Sequence, residues 1–206
     1  MMLFDESVVC LITPGDLVPK NFQTQKEALI SKVRSAVSSG VTLVQIREKA
    51  LTSSQLFELT REVVEGLNDS KVKIVVNDRW DIALASGAHG VHLRSDSMPA
   101  RAVRPEVPTG FIIGVSVHSL AETDRFEGAD FAIFGPVFPT PGKGRPAGIE
   151  ALAEICSEAK PFPIIAVGGI GFENLKEVLD AGAAGFAAIR AFEESEAADL
   201  GGSSPT

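Results

Sequence analysis

The sequence predicts an α/β protein with the architecture of a (β/α)8 barrel, also called a TIM barrel. Three observations favour this fold class: eight short apolar segments rich in Val and Ile, amphipathic helical segments between them, and a repeated helix-to-strand junction. Most of the apolar segments are apolar at successive positions, which is typical of parallel strands buried on both faces. A TIM barrel commonly needs about 250 residues, with a lower end near 200. With 206 residues, this chain is predicted to be a minimal barrel.

Predicted strands and helices alternate along the chain. The strands are expected at 8–13, 42–47, 73–78, 90–93, 111–117, 130–135, 163–169 and 185–190. Helices are expected at 24–40, 52–68, 78–88, 119–129, 148–159 and 172–183, with a short one at 98–107 and a truncated last one at 192–200. In the first helix, Leu29, Val33 and Val37 recur at four-residue steps and form one apolar face. We therefore expect a single barrel domain over residues 1–200 and a disordered tail over 201–206.

Three helix-to-strand junctions repeat one pattern. They read "ASGAHGVHL", "FEGADFAIF" and "DAGAAGFAAI". In each of them a helix ends at a Gly, and a strand follows within two to four residues. Such repetition is expected of a barrel that is built from βα units.

Composition and charge argue against several classes of protein. Hydrophobic residues make up 45% of the chain, enough for a sizeable core. The net charge of −8 argues against nonspecific nucleic-acid binding, which needs excess Lys and Arg, but it allows an anionic substrate. We see no signal peptide and no apolar run that could span a membrane. Cys10 and Cys156 lie in apolar or helical patterns and are expected to be buried and reduced, as in a cytoplasmic protein.

The carboxyl ends of the strands face the active site of a TIM barrel, so the residues there are candidate site residues. Strand two ends in "VQIREK", where alternation places Gln45, Arg47 and Lys49 on one side. Two cations on one face suit a phosphate or a pyrophosphate. The same residues are also typical of an exposed charged surface.

Strands three and four end in residues that indicate either a metal site or a structural role. Strand three ends in Asn77 and Asp78, and the Asp78 carboxylate can bind Mg²⁺ or cap the following helix. After strand four, in "GVHLRSDSMP", Asp96 is a second candidate ligand. His92 is expected to pack in the barrel interior, and His89 to lie at the other end of the strand.

Strand five and the segment after strand six add groups that could act on a substrate. Ser116 and His118 lie two residues apart in "GVSVHS" and could face the same side. His is suited to proton transfer near neutral pH, although a single His is often structural. The long segment "FGPVFPTPGKGRPAG" carries Lys143 and Arg145 and resembles a mobile lid over a phosphate.

Strands seven and eight end in a pattern that predicts phosphate binding. The glycines of "AVGGIG", Gly168 and Gly169, let a phosphate approach backbone N–H groups, and a helix expected from Phe172 adds its dipole. The backbone at Ile189 and Arg190, in "AAIRA", would complete the phosphate site that TIM barrels usually form after strands seven and eight.

In this order, the motifs resemble the thiamine phosphate synthase/TenI family over nearly the whole chain. The resemblance is carried by "VQIREK", "VNDRWDIAL", "SGAHGVHL", "IGVSVHS", "GADFAIFGPVFPTPGK" and "IIAVGGIGFENLKEVLDAGAAGFAAIRA". It implies a TIM barrel and a role in thiamine biosynthesis. The synthase branch joins a thiazole phosphate to a pyrimidine diphosphate and releases pyrophosphate with the help of Mg²⁺. The TenI-like branch aromatises a thiazole phosphate carboxylate by proton transfer, without a metal.

The resemblance also implies roles for the residues above. Substrate and pyrophosphate binding correspond to Gln45, Arg47, Lys49, Asn77, Ser116, Thr140 and Lys143. Thiazole phosphate binding corresponds to Gly168, Gly169, Ile189 and Arg190. The first metal region of a synthase corresponds to Asp78, and the acid/base of the TenI-like branch to His118.

Two departures from the synthase pattern bear on the choice of branch. The synthase usually reads "HLGQxD" after strand four, and that Asp is its second metal ligand. Here Ser97 stands at the ligand position, Asp96 is one residue early and Arg94 replaces the glycine. Gly142 also stands where the "P-T-x-T-K" motif has its second threonine. We therefore expect Asp96 to be a loop acid or a partner of Arg94 rather than a Mg²⁺ ligand.

Three functions remain, and the sequence favours them in the following order. The first is TenI-like tautomerisation by His118, with no cofactor. The second is thiamine phosphate synthesis with Mg²⁺ at Asp78 and Asp96, which the retained "VND", "REK" and Lys143 favour. The third is a non-catalytic regulator that binds a thiazole phosphate. The expected partners are a phosphorylated thiazole and, for a synthase, a pyrimidine diphosphate, with no nucleic acid and no membrane; a homo-oligomer is compatible with all three functions.

Overall fold

A closed barrel of eight parallel strands forms the centre of the computed structural model, which describes residues 7–171 and 173–189. Each strand pairs with the next one along the chain, and the last pairs with the first. The strands are β1 (Val8–Ile12), β2 (Leu43–Ile46), β3 (Lys73–Asn77), β4 (Gly90–Leu93), β5 (Ile112–Val117), β6 (Phe131–Phe134), β7 (Ile164–Val167) and β8 (Gly185–Ala188). The predicted (β/α)8 fold class is confirmed.

Helices surround the barrel and follow most of its strands. The α-helices are α1 (Phe22–Ser38), α2 (Ser53–Gly66), α3 (Trp80–Ser86), α4 (Ala100–Val103), α5 (Ile149–Ala159) and α6 (Leu175–Asp180). Arg104–Glu106 and Leu120–Phe126 are 3-10 helices. Across residues 7–171 and 173–189, no helix has the length and apolar character that a membrane crossing requires. The predicted last helix (192–200) and tail (201–206) lie outside the described residues.

The α-helix predicted at 119–129 is wrong in type. The segment Leu120–Phe126 is a 3-10 helix, and Glu122 inside it has non-helical angles of φ −102° and ψ 16°. The Glu122 carboxylate accepts a hydrogen bond from the backbone N–H of His118 at 3.3 Å, and Arg125 donates to the carbonyl of Ser116 at 3.2 Å. These contacts with the end of β5 favour a tighter turn over a regular α-helix.

Two apolar layers hold the barrel together. The interior is filled by side chains that alternate along the strands, namely Val8, Cys10, Ile12, Leu43, Val75, Ile112, Phe131, Ile133, Ile165 and Ala187. A larger cluster lies between the sheet and the helices. Cys10 and Cys156 are both buried free thiols, as expected, and burial raises the pKa of Cys156 to about 11. Apolar side chains therefore fill the barrel interior, and the polar residues that line the cavity lie at or near the carboxyl ends of the strands.

The three repeated junctions adopt the form that the sequence predicts. Gly87, Gly128 and Gly182 follow helical segments with φ angles of 76°, 82° and 93°. This left-handed region favours glycine, and it turns the chain from a helix into the next strand. Because every strand is parallel to its neighbours, all eight carboxyl ends meet at one end of the barrel.

Candidate active site

A cavity of about 630 Å³ opens at the carboxyl ends of the strands. Most of the predicted site residues line it: Gln45, Arg47, Lys49, Asn77, Asp96, Ser116, His118, Thr140, Lys143, Gly168, Gly169 and Ile189. They come from seven different strand ends, and the parallel barrel brings them together. Arg190 lies outside the described residues, and Asp78 is not among the residues that line the cavity but contacts Arg94, which is.

Four residues that line the cavity are cations, and we call them the cationic wall: Arg47, Lys49, Arg94 and Lys143. Desolvation lowers the pKa of Lys49, and the nearby charges of Arg47, Arg94 and Lys143 lower it further. The four side chains line the same cavity, so their charges act on one space. Positive charge concentrated in this way, in a chain of net charge −8, suits a phosphate or diphosphate ligand.

Glu48 helps to position Arg47 and Lys49, and sequence reasoning missed it. Arg47 and Lys49 point into the cavity, so Glu48 between them points away and is only 2% exposed. Its carboxylate accepts hydrogen bonds from the backbone N–H groups of Gly15 and Leu17, both at 3.0 Å. Burial raises the pKa of Glu48, and these hydrogen bonds partly oppose that shift. The carboxylate thus ties the loop after β1 to the end of β2.

We expect Glu48→Ala to lower the free energy of unfolding by about 2 kcal/mol, because the buried N–H of Leu17 and the partly buried N–H of Gly15 lose a charged acceptor. Urea denaturation at neutral pH measures this change. Glu65→Ala is the control, since Glu65 is exposed and only pairs with Arg61 one helical turn away at 3.7 Å. Equal effects of the two substitutions would contradict the role of Glu48.

A buried polar cluster of Gln45, Asn77 and His92 forms the floor of the cavity. Gln45 Nε2 donates to Asn77 Oδ1 at 3.1 Å and lies 3.0 Å from His92 Nδ1. Because an amide nitrogen only donates, His92 Nδ1 is the acceptor, and its ring proton lies on Nε2. Burial lowers the pKa of His92 to about 4, so the ring is neutral at pH 7. His92 was expected only to pack the interior; its burial is confirmed, but it also orients Gln45.

The lowered pKa of His92 predicts that the fold becomes less stable in acid. The pKa of His92 is about 4 in the folded state, against 6.5 for a free His, so the unfolded chain binds more protons between these values. Stability is therefore lost as the pH falls below 6.5, by roughly 2–3 kcal/mol at pH 4.5. Urea denaturation of wild type and His92→Gln at pH 7 and pH 4.5 tests this. The variant should lose less stability than wild type; an equal loss would refute the prediction.

Asp78 and Asp96 lie on either side of the Arg94 guanidinium. Arg94 Nε is 3.4 Å from Asp78 Oδ2, and Arg94 Nη2 is 3.0 Å from Asp96 Oδ2. The Ser97 hydroxyl donates to the other oxygen of Asp78. The expected pairing of Asp96 with Arg94 is confirmed. The predicted helix-capping role of Asp78 is wrong, because the N-cap of α3 is Arg79 and no side-chain hydrogen bond caps it.

This arrangement does not fit the Mg²⁺ that the synthase branch implies. Mg²⁺ prefers six oxygen ligands in near-octahedral geometry. Asp78 is engaged by Ser97 and Arg94, and Asp96, 71% exposed, is engaged by Arg94. In the described part of the chain, no three His, Cys, Asp or Glu residues form a group that could hold a metal. An arginine cation therefore lies between the two carboxylates that were predicted as ligands.

Arg125 holds this cluster in place, and no sequence signal identified it. Its guanidinium donates to the carbonyl of Arg94 at 2.6 Å and to the carbonyl of Ser95 at 2.8 Å. It also donates to the carbonyl of Ser116 at 3.2 Å. Arg125 thus joins the loop after β4 to the end of β5, an interaction that depends on the neighbouring positions of these strands.

His118 is exposed at the rim of the cavity with one nitrogen engaged. Its Nδ1 lies 2.5 Å from the carbonyl oxygen of Gly135. A carbonyl oxygen only accepts, so Nδ1 carries a proton in this contact, and Nε2 is the nitrogen left for proton transfer. This arrangement allows His118 to accept a proton from a bound molecule and to return it.

The loops after β6 and β7 pack tightly against each other around Gly168. Gly168 has a φ of 98°, and a Cβ there would lie 2.6 Å from the Cβ of Pro136. The carbonyl of Gly168 accepts from the N–H of Phe138 at 3.0 Å. Asn174 Nδ2, also missed from the sequence, donates to the carbonyl of Gly169 at 2.8 Å. The helix expected from Phe172 begins only at Leu175, so the loop backbone is the main element offered to a phosphate.

The barrel and the cationic cavity at the carboxyl ends of its strands are typical of TIM-barrel enzymes. The family described as thiamine monophosphate synthase matches residues 9–192 of the chain. A putative thiamine-phosphate synthase of Geobacter sulfurreducens is 43% identical over 85% of this chain and 84% of its own length. A thiamine-phosphate synthase of Methanocella arvoryzae is 40% identical over 79% of each chain. The solved thiamine phosphate pyrophosphorylase of Pyrococcus furiosus superposes with a TM-score of 0.76 at 34% identity, over 89% of this chain and 86% of that one.

The chain belongs to the thiamine monophosphate synthase family. It is accordingly an enzyme of thiamine biosynthesis, and the resemblance read from the sequence motifs is confirmed. The sequence motifs alone favoured the TenI-like reaction. The relatives carry the synthase name instead, so they favour the second of the three functions.

Proposed function

We propose that the protein is a thiamine-phosphate synthase that joins a thiazole phosphate to hydroxymethylpyrimidine diphosphate and releases pyrophosphate. The observation that carries the proposal is the cationic wall. Arg47, Lys49 and Lys143 retain the positions that the synthase resemblance assigns to diphosphate binding, and Arg94 adds a fourth charge. So much positive charge exceeds the need of one phosphate and suits a diphosphate leaving group. The names of the relatives support the same function.

The polar floor is suited to holding the pyrimidine ring. Gln45 is oriented by Asn77 and by the neutral His92, and its Oε1 is buried without a hydrogen-bond partner in the described residues. An unpaired buried acceptor is costly unless a ligand donor reaches it. We infer that an N–H group of the substrate ring donates to Gln45, which would direct the diphosphate toward the cationic wall.

In the proposed reaction the bond between the pyrimidine methylene carbon and the diphosphate oxygen breaks. Its electron pair leaves with the diphosphate, and Arg47, Lys49 and Lys143 stabilise the charge that develops there. The thiazole nitrogen then donates its electron pair to the carbocation-like methylene carbon and forms the new C–N bond. The thiazole phosphate lies against the backbone at Gly168 and Gly169, which fixes the distance between the two reactants.

A second candidate function, TenI-like tautomerisation, is favoured by the geometry of His118. Its Nδ1–H is fixed by the carbonyl of Gly135, and the residue lines the cavity, so Nε2 is the nitrogen that would act as a base. The same His could remove a proton from a thiazole phosphate carboxylate and return it at another position. This reaction needs only the phosphate loop at Gly168 and Gly169, and no cofactor.

A side-by-side assay of both reactions tests the proposal. We expect pyrophosphate release from the two synthase substrates, measured with and without Mg²⁺, and less than a tenfold loss of that rate in His118→Ala. The aromatised thiazole is measured separately by chromatography. Aromatisation that His118→Ala abolishes, without pyrophosphate release at saturating substrate, would replace the proposal with the tautomerase. Thiazole phosphate binding without either turnover would indicate the regulator.

A further inference from the structure

We propose that the Arg94 guanidinium is a built-in cation that replaces a divalent metal between Asp78 and Asp96 and binds the substrate diphosphate directly. The inference rests on the proposed function for the identity of the ligand, and on the geometry for the role of Arg94. It predicts that this site binds a diphosphate without metal.

The first support is the position of the guanidinium. Arg94 lies within 3.4 Å of Asp78 Oδ2 and 3.0 Å of Asp96 Oδ2, so one cation serves both carboxylates. Ser97, at the position where the family resemblance places a ligand, donates its hydroxyl to Asp78. Both predicted metal ligands therefore already have cationic or donor partners from the loop after β4.

The second support is that the loop holds Arg94 firmly. The backbone N–H of Arg94 donates to Ser97 Oγ at 3.1 Å, and its carbonyl accepts from Arg125 at 2.6 Å. The neighbouring carbonyl of Ser95 accepts from the Arg125 guanidinium at 2.8 Å. This fixed backbone and the ion pairs with the two aspartate carboxylates restrict the guanidinium before an anion binds, so less conformational freedom is lost on binding.

The third support is that Arg94 faces the ligand space. It lines the cavity together with Lys49, and its charge contributes to lowering the pKa of Lys49. A guanidinium has five N–H donors, so one that contacts two carboxylates still has donors for a phosphate oxygen. Arginine also binds phosphate oxygens in pairs, which a point charge does not.

Calorimetric titration with inorganic pyrophosphate in EDTA tests the proposal. We expect wild type to bind, Arg94→Gln to bind at least about 10-fold more weakly, and Arg94→Lys to recover part of the loss. Arg61→Gln is the matched control, because Arg61 lies on α2 and pairs with Glu65. Thermal melts identify any variant that has lost its fold; Arg94→Lys then carries the comparison with wild type.

Asp96→Asn separates the built-in cation from a metal site. If Asp96 is a metal ligand, added Mg²⁺ should change pyrophosphate affinity in wild type but not in Asp96→Asn; if Asp96 is only a partner of Arg94, added Mg²⁺ should change both affinities equally. Wild-type binding that requires Mg²⁺, or full affinity of Arg94→Gln in EDTA, would overturn the proposal. The binding results do not depend on turnover. Metal-free pyrophosphate binding that depends on Arg94 supports the inference even where the synthase assay is negative. Synthase activity in wild type, with unchanged pyrophosphate affinity in Arg94→Gln, overturns the inference but not the proposed function.

Discussion

Arg47→Gln is expected to reduce kcat/KM for pyrophosphate release by at least about 100-fold, comparable to the loss of one donor that stabilises transition-state charge. The Arg47 side chain lines the cavity, and its backbone N–H is fixed by Thr13 Oγ1 at 2.8 Å. The shorter, neutral Gln keeps the apolar stem of the side chain but removes the charge that meets the departing diphosphate. Steady-state assays with both substrates measure the effect.

Two further variants define what Arg47 contributes. Arg47→Lys keeps the charge without the paired N–H geometry and should recover part of the rate. Arg101→Gln is the control, because Arg101 is an exposed cation on α4 that pairs with Glu127 at 3.8 Å. Since the interaction should grow as charge develops on the leaving group, we expect kcat to fall more than KM rises. Equal rates for Arg47→Gln and Arg101→Gln would exclude Arg47 from the leaving-group site.

The strands of the barrel could be predicted from the sequence because their apolar runs require burial on both faces. The predicted ends of the strands were less accurate. Strand seven was predicted at 163–169, but β7 ends at Val167. Gly168 and Gly169 have φ angles of 98° and 64°, so the chain leaves the extended conformation immediately after the strand. A Gly pair after an apolar run does not by itself reveal this change.

Side chains on a single strand were placed correctly, whereas contacts between strands were not foreseen. Alternation alone put Gln45, Arg47 and Lys49 in the cavity. The contact between Gln45 and His92 depends on the registers of β2 with β3 and of β3 with β4, which pair Gln45 with Val75 and Asn77 with His92. Such registers follow from packing of the whole barrel, and no local motif encodes them.

The loop after β4 shows the same distinction. A one-residue displacement of Asp96 and the presence of Arg94 were visible in the sequence, and they predicted the ion pair that the structure contains. The sequence did not show that Asp78 also contacts Arg94, or that Arg125 holds the loop by hydrogen bonds to its backbone. Arg125 lies 30 residues from Ser95 in sequence, and the two meet only because neighbouring strands end side by side.

The stability of the fold should depend strongly on the side chains that fill the barrel interior. Phe131→Ala is expected to lower the free energy of unfolding by about 3–5 kcal/mol, because Phe131 is fully buried and its removal leaves a cavity. The ring fills the space above Gly114, where a Cβ would lie 2.3 Å from Phe131 Cζ. Urea denaturation measures the loss.

The same ring also connects stability with the site, because it stacks on His92 with centroids 6.1 Å apart. Phe131→Leu, which keeps much of the volume, should cost less than Phe131→Ala. Phe57→Ala is the control: Phe57 is only partly buried on α2, beneath Arg61 at 5.6 Å, and should lose less than half as much. If the interior packing positions His92, Phe131→Leu should weaken substrate binding while the fold persists. An unchanged KM in a stable Phe131→Leu protein would show that the polar floor is held by its hydrogen bonds alone.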